Sequence, residues 1–140
     1  MILYLDTSSL VKLYVEEAGS QEVRDLLASA SLVATSVVAY PEARSALARL
    51  RRGEGLTETE YRAVRADLEE DWRGLLAIPV AEAVWRRAGE LAERHGLCGF
   101  EGIHLASYLW LAGGRSDIEV RFSSWDERLN RAAGAEAGEG

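Results

Sequence analysis

Short apolar runs at residues 2–5, 32–35 and 76–80, with an alternating apolar-polar stretch at 118–124, are interspersed with segments of helical periodicity, and this order most limits the folds open to the chain. Parallel strands need long crossovers, usually helical, and strands covered on both faces show unbroken apolar runs. The pattern predicts an α/β fold in three layers, a short parallel sheet of four to five strands flanked by helices.

The helices carry their own signals. Leu10, Leu13 and Tyr14 mark one face of a helix over residues 9–16, and Gly19-Ser20 separates it from a second through Val23, Leu26 and Leu27. Ala43, Ala46, Leu47 and Leu50 recur at i, i+3, i+4 and i+7; Pro41 fits only a first turn, so that helix starts late or kinks there. Thr57-Glu-Thr-Glu60 has the form of a capping box opening a long helix along Tyr61, Val64, Leu68, Trp72 and Leu75. Another passes through Val84, Trp85, Ala88 and Leu91 and stops at Gly96. From Gly99 to Leu111 the chain is apolar all round, the mark of a buried helix. A last helix is expected over 127–133. With 140 residues, no repeat and no long linker, one domain over 1–133 is expected, followed by a flexible tail over 134–140.

Acids follow this architecture. Asp6, Glu42 and Asp126 each come just after a predicted strand, and Glu101 opens the buried helix. Ligands of open α/β sheets sit beyond the carboxyl ends of the strands, so the order brings the four acids toward one crevice. Two unpaired carboxylates about 4 Å apart repel by roughly 4 kcal/mol at an effective dielectric of ~20, and several such pairs rival the stability of a small domain. The cluster needs a counter-charge. An all-oxygen anionic set without histidine or thiolate suits Mg²⁺ or Mn²⁺ rather than zinc or copper. Such ions activate water and steady a leaving oxygen, which is the chemistry of phosphodiester hydrolysis.

The net charge of −7 argues against a general nucleic-acid coat, but acids spent on holding cations weaken that argument. The single cysteine, Cys98, allows no internal disulfide and fits a reducing cytoplasm. The apolar start lacks a basic flank and meets Asp6 early, so it is expected to be mature structure, and no apolar run approaches the ~18 residues of a membrane span.

Four segments in order carry a family resemblance: Ile2-Leu-Tyr-Leu-Asp-Thr-Ser-Ser-Leu-Val-Lys-Leu-Tyr14, Ala34-Thr-Ser36 with Glu42, Phe100-Glu-Gly-Ile-His-Leu-Ala106, and Ser123-Ser-Trp-Asp126. Over roughly residues 1–133 the chain resembles the PIN-domain family, particularly the VapC-type toxins. The resemblance implies a metal-dependent endoribonuclease, usually dimeric, held inactive by a cognate antitoxin. It implies that Asp6, Glu42, Glu101 and Asp126 are the catalytic, metal-holding acids, the last often through water, with Ser8 and Ser124 as hydroxyls supporting them. The family usually has aspartate where Glu101 stands, and the extra methylene shifts that carboxylate by about one bond, which strict Mg²⁺ geometry tolerates poorly. The family sheet also often gains an edge strand that is not evident here after Asn130. A haloacid-dehalogenase phosphatase would need an acid at Ser8, and a receiver domain an aspartate at the strand exit Ile78-Pro79-Val80. The alternative that stays open is a PIN-like RNA-binding or protein-interaction module with a weakened or inactive site.

Each residue also has a plainer role. Asp6 and Asp126 can serve as helix caps, and Glu42 as a solvated first-turn acid. His104 is expected in the core, His95 at a helix end and Cys98 in buried packing. Arg44, Arg49, Arg51 and Arg52 follow Glu42 on one helix and are candidates for guiding RNA, for antitoxin acids, or for a solvated face. Trp72, Trp85 and Trp110 occupy apolar helical positions suited to core or dimer packing; Trp125, beside Asp126, is the better candidate for stacking on RNA.

Overall fold

The structure, a computed structural model, describes residues 1–114 and 117–138. Its sheet has four parallel strands, β1 (Ile2–Leu5), β2 (Leu32–Ser36), β3 (Leu76–Ile78) and β4 (Val120–Ser123), in the order β3-β2-β1-β4. All four residues of β1 are buried. Alternate side chains leave a strand on opposite faces, and here they divide two cores. Leu3 and Leu5 pack with α1 (Thr7–Val11), α2 (Ser20–Ala28), α3 (Ala39–Arg52) and α4 (Glu58–Trp72), while Ile2 and Tyr4 face the other side with Leu111 of α6 (Gly99–Gly113). On that second side α6 packs against α5 (Glu82–His95) and α7 (Glu127–Gly138). The expected three layers are present.

The chain moves outward from β1 to β2 to β3 and then returns to lay β4 on the other side of β1. The carboxyl ends of β1 and β4 therefore flank the point where strand order reverses, which is where open α/β sheets form a crevice.

Several local signals are realised as expected. Thr57 caps α4 with the full box, Glu60 N–H to Thr57 at 3.1 Å and Thr57 N–H to Glu60 at 2.9 Å. Pro41 falls in the first turn of α3, where its missing N–H costs nothing. Gly96 ends α5 at φ +66°, the left-handed cap that favours glycine.

Other elements differ from expectation. The first helix is shorter, because it starts at once from the Asp6 cap and gives way to turns after Val11. The segment expected as a flexible tail is helical through Gly138: its alanines are strong helix formers, Ala132 and Ala133 are buried, and Glu136 accepts hydrogen bonds of 2.7 Å from both His95 and Arg94. Residues 139–140 lie outside the described residues. Trp72 packs into the core beside Tyr40, but Trp85 and Trp110 are exposed because they sit on the outer faces of α5 and α6.

Gly102 fixes how closely α5 and α6 approach. A Cβ placed there would lie 2.6 Å from the Ala88 carbonyl oxygen and 3.3 Å from the Ala92 Cβ. Backbone can yield little, and overpacking costs about 1–3 kcal/mol, against the ~1 kcal/mol that a helix gains from Gly→Ala. Gly102→Ala is thus expected to lower Tm by several degrees. Thermal unfolding followed by circular dichroism checks it, and a raised Tm would show that this contact is not limiting.

Candidate functional site

Asp6 follows the last residue of β1 directly. It is only 4% exposed, yet no lysine or arginine pairs with it among the described residues. Neutral donors satisfy it instead. Oδ1 accepts from the Ser8 hydroxyl at 2.7 Å and the Ser9 N–H at 3.0 Å, which also caps α1, and Oδ2 accepts from the Ser124 hydroxyl at 2.6 Å. The same hydroxyls reach onward: Ser8 accepts from the Trp125 N–H at 2.9 Å and Ser124 from the Asp126 N–H at 3.0 Å. Ser9 and Ser123 hydroxyls meet at 2.9 Å beneath them. The run Thr7-Ser8-Ser9 after β1 is thereby tied to Ser123-Ser124 after β4.

Asp126 caps α7, Oδ1 accepting from the Leu129 N–H at 2.9 Å. Glu42 projects from the first turn of α3. Its Oε1 accepts from the Thr7 hydroxyl at 2.6 Å and lies 3.0 Å from His104 Nε2, which is also 3.0 Å from Thr7 Oγ1. His104 Nδ1 is 2.9 Å from the Tyr4 hydroxyl. A proton on Nε2 satisfies the whole chain, with Nδ1 accepting from the phenol. Burial pushes the Tyr4 phenol well up, so it stays a donor. His104 is thus the core histidine expected, and it also carries the buried layer's order to Glu42.

Glu101 lies in the first turn of α6, where Gly102 lets the helix sit close to α5. Its Oε2 is buried and has no partner. Asp6, Glu42, Glu101 and Asp126 all line one cavity of about 270 Å³, with Thr7, Ser8 and His104. The convergence expected from strand order is present, but direct joint ligation is not: among the described residues no three His, Cys, Asp or Glu side chains stand close enough to hold one ion. The reason is visible in the hydrogen bonds, since both oxygens of Asp6 and one each of Glu42 and Asp126 are turned toward protein donors.

The donor set still fits a hard divalent cation. It is carboxylate oxygen throughout, it leaves a buried carboxylate oxygen unsatisfied at Glu101, and no lysine or arginine lines the cavity. Mg²⁺ commonly keeps several waters and takes only one or two carboxylates directly, so acids spaced more widely than a closed ligand cage suit it.

The remaining candidates separate. Arg44 donates to Tyr40 and pairs with Glu69 at 3.2 Å, and Arg51 pairs with Glu58 and lies over the Tyr61 ring at 4.1 Å, so both are engaged with α4 or its neighbours. Arg52 is exposed at the end of α3 and lines none of the cavities near the acids. Arg49 alone of the four lines the groove beside the acids. Trp125 packs over Gly19 with Lys12 Nζ 5.0 Å from its ring centroid. Cys98 is exposed rather than buried, because it caps the open end of α6; partial desolvation and the nearby Glu101 push its thiol up, opposite to what a nucleophile needs. Phe100, which the sequence marks only as the first residue of the segment that carries Glu101, lines the acid cavity and the groove beside it.

The PIN domain family matches residues 3–109. The chain belongs to the PIN-domain family. Ribonuclease VapC45 and Ribonuclease VapC49 of Mycobacterium tuberculosis are each 37% identical to it over 134 residues, covering 96% of this chain and 90% of the relative. The fold is shared with FitAcB from Neisseria gonorrhoeae, at TM-score 0.70 and 22% identity over 96% of this chain and 94% of that one. It is also shared with M. tuberculosis VapC20, described as a toxin that cleaves the sarcin-ricin loop, at TM-score 0.66 and 18% identity over 93% and 94%.

The Glu42 cluster sets a pH dependence. Burial pushes its carboxyl up, but the hydrogen bonds from His104 and Thr7, and the charge of His104 when protonated, outweigh burial and hold it below the usual carboxylate range. A carboxyl depressed on folding contributes stability that is present above its unfolded pKa and lost as pH falls through its folded pKa. Thr7→Val removes one donor. It is expected to cost about 1 kcal/mol at neutral pH, and the cost should shrink once Glu42 takes up its proton in acid. Urea unfolding of both proteins across pH measures this, and a pH-independent difference would contradict it.

Proposed function

We propose that this chain is a metal-dependent endoribonuclease that hydrolyses RNA phosphodiester bonds and serves as the toxin of a toxin-antitoxin pair. In this reading it acts in the cytoplasm as a homodimer restrained by its cognate antitoxin. One observation carries the reading: four acids from four separated segments line one cavity that holds no lysine or arginine, with a carboxylate oxygen of Glu101 buried and unpartnered. Relatives bearing ribonuclease names support it.

Mg²⁺ or Mn²⁺ bound there would supply charge neutralisation at the scissile phosphate and a water activated near neutral pH. The protein's own groups set the stage. Ser8, Ser124 and the Ser9 N–H hold the Asp6 carboxyl group in place through neutral donors, which bring no opposing charge. Thr7 and His104 fix one oxygen of Glu42 and leave the other without a protein partner among the described residues. Asp126 keeps one oxygen on the α7 cap and one available to the cavity. A second reading, a PIN-like RNA-binding or protein-interaction module, is favoured by glutamate at 101 and by the wide spacing of the acids.

Activity separates the two. Protein freed of any partner is expected to cut single-stranded RNA with Mg²⁺ or Mn²⁺, to stop when the metal is chelated, and to lose roughly a hundredfold or more in rate as Asp6→Asn. Cleavage that persists in that variant overturns the mechanism, and RNA binding without cleavage selects the second reading. Glu101→Gln gives a further sign test. Neutralising a carboxylate that has one oxygen buried and unpartnered should stabilise the metal-free protein by about 1 kcal/mol while reducing the rise in Tm that added Mg²⁺ produces. A destabilised metal-free variant would show that Glu101 is already compensated by the protein.

A further inference from the structure

The acid-lined cavity opens into a second concavity. A groove of about 360 Å³ lies between α3 and the first turn of α6, and Thr7, Glu42 and Phe100 line both spaces. Its size lies within the ~300–1,000 Å³ range of sites that take a small-molecule-sized group. One wall is a single stripe of α3, where Glu42, Ser45, Ala46 and Arg49 recur at i, i+3, i+4 and i+7. Phe100 of α6 lines the same groove and is 53% exposed in the first turn of that helix.

We propose that Phe100 and Arg49 form a subsite for one unpaired nucleotide of the RNA, next to the phosphodiester held over the acids, with its base stacked on Phe100 and its backbone phosphate drawn to Arg49. The proposal rests on the ribonuclease reading and refines it. An aromatic ring from α6 and a cation from α3 lining one groove match the two halves of a nucleotide, a flat π-face and an anion. Continuity with the acid cavity places the occupant within one residue of the scissile bond. The base must be unpaired, because a base inside a duplex has its faces covered by its neighbours. Stacking accepts any base, so the subsite selects for single-stranded character and leaves identity to other contacts.

The neighbours leave these two residues to the task. Arg44 and Arg51, on the same helix, are paired with Glu69 and Glu58, whereas Arg49 makes no salt bridge among the described residues. Trp125 lies under Lys12 and over Gly19, and neither it, Trp85 nor Trp110 lines the groove.

The test uses the full chain and a short single-stranded oligoribonucleotide cut at one position, together with copies carrying one abasic nucleotide at successive positions. With wild type, an abasic nucleotide beside the cut should lower kcat/KM about tenfold, mainly through KM. Phe100→Ala should lose about the same on the intact oligonucleotide and show no further abasic penalty, while Phe100→Trp restores both. Arg49→Gln should weaken binding and reduce its salt dependence. If wild type cuts but Phe100→Ala cuts equally well and keeps the abasic penalty, the subsite is overturned and the ribonuclease reading stands. If Phe100→Ala changes the oligomeric mass with RNA kinetics unaltered, the ring belongs to a protein interface and the subsite is again overturned. If wild type cuts no RNA at all, both readings fall together.

Discussion

The structure depends on keeping the Asp6 carboxyl group buried, held by neutral donors and free of any lysine or arginine partner among the described residues at the end of the central strand. A buried carboxylate without hydrogen bonds would protonate, and one paired with arginine would be spent. Hydroxyls and a backbone N–H are the third solution: they satisfy the lone pairs but bring no net charge. This explains the concentration of serine and threonine after β1 and β4, since these residues can cap, bridge and donate from within a turn. It also explains why β1 and β4 must be neighbours although nearly the whole chain separates them. Ser124 reaches Asp6 only because β4 is laid in register against β1, with Leu5 opposite Ser123.

Charge is separated on the scale of the whole domain. Most of the cations with ion pairs are exposed along α3, α4 and α5, where such bridges contribute little to stability, whereas Lys12, paired with Glu17, is largely covered. The cavity keeps its acids free of lysine and arginine. Net charge alone therefore says little about whether the chain can meet a polyanion. What matters is that the acids are confined to a small space where a divalent cation would reverse their local sign, while Arg49 stands at the edge of that space.

The sheet, its parallel sense and the positions of the four acids were legible from sequence because each depends on periodicity or on strand order. The capping box at Thr57 and the glycine stop at Gly96 were legible because cap chemistry is local. Features set by distant partners were not. The helix over residues 134–138 depends on Glu136 meeting His95 and Arg94, some forty positions away, and an Ala/Gly-rich end carries no apolar stripe to announce it. The exposure of Phe100 and Trp110 depends on which face of a nearly all-apolar segment turns outward, and such a segment gives no preferred face, whereas Trp85 lies beside the buried Val84, Ala88 and Leu91 stripe of α5 rather than in it. Which arginine faces the groove likewise depends on where the acids of α4 lie. The need for glycine at 102 also depends on a distant partner, the Ala88 carbonyl of α5.

From sequence, Asp6 and Asp126 can be weighed either as helix caps or as site residues, and the structure removes that choice. Each follows a strand and caps the helix that begins there, because the first free N–H groups of a helix are the donors nearest to a strand exit. Capping fixes the rotamer through Oδ1, and a fixed rotamer is what a polar site requires of its groups. The helix start thus supplies the rigidity, and the second oxygen, restrained at no further cost in side-chain entropy, is the part left for the cavity or its supporting hydroxyl. In a parallel α/β sheet, then, an acid in the cap position is a reason to look for a site there, provided that other acids reach the same crevice from other elements, as Glu42 does from α3 and Glu101 from α6 here.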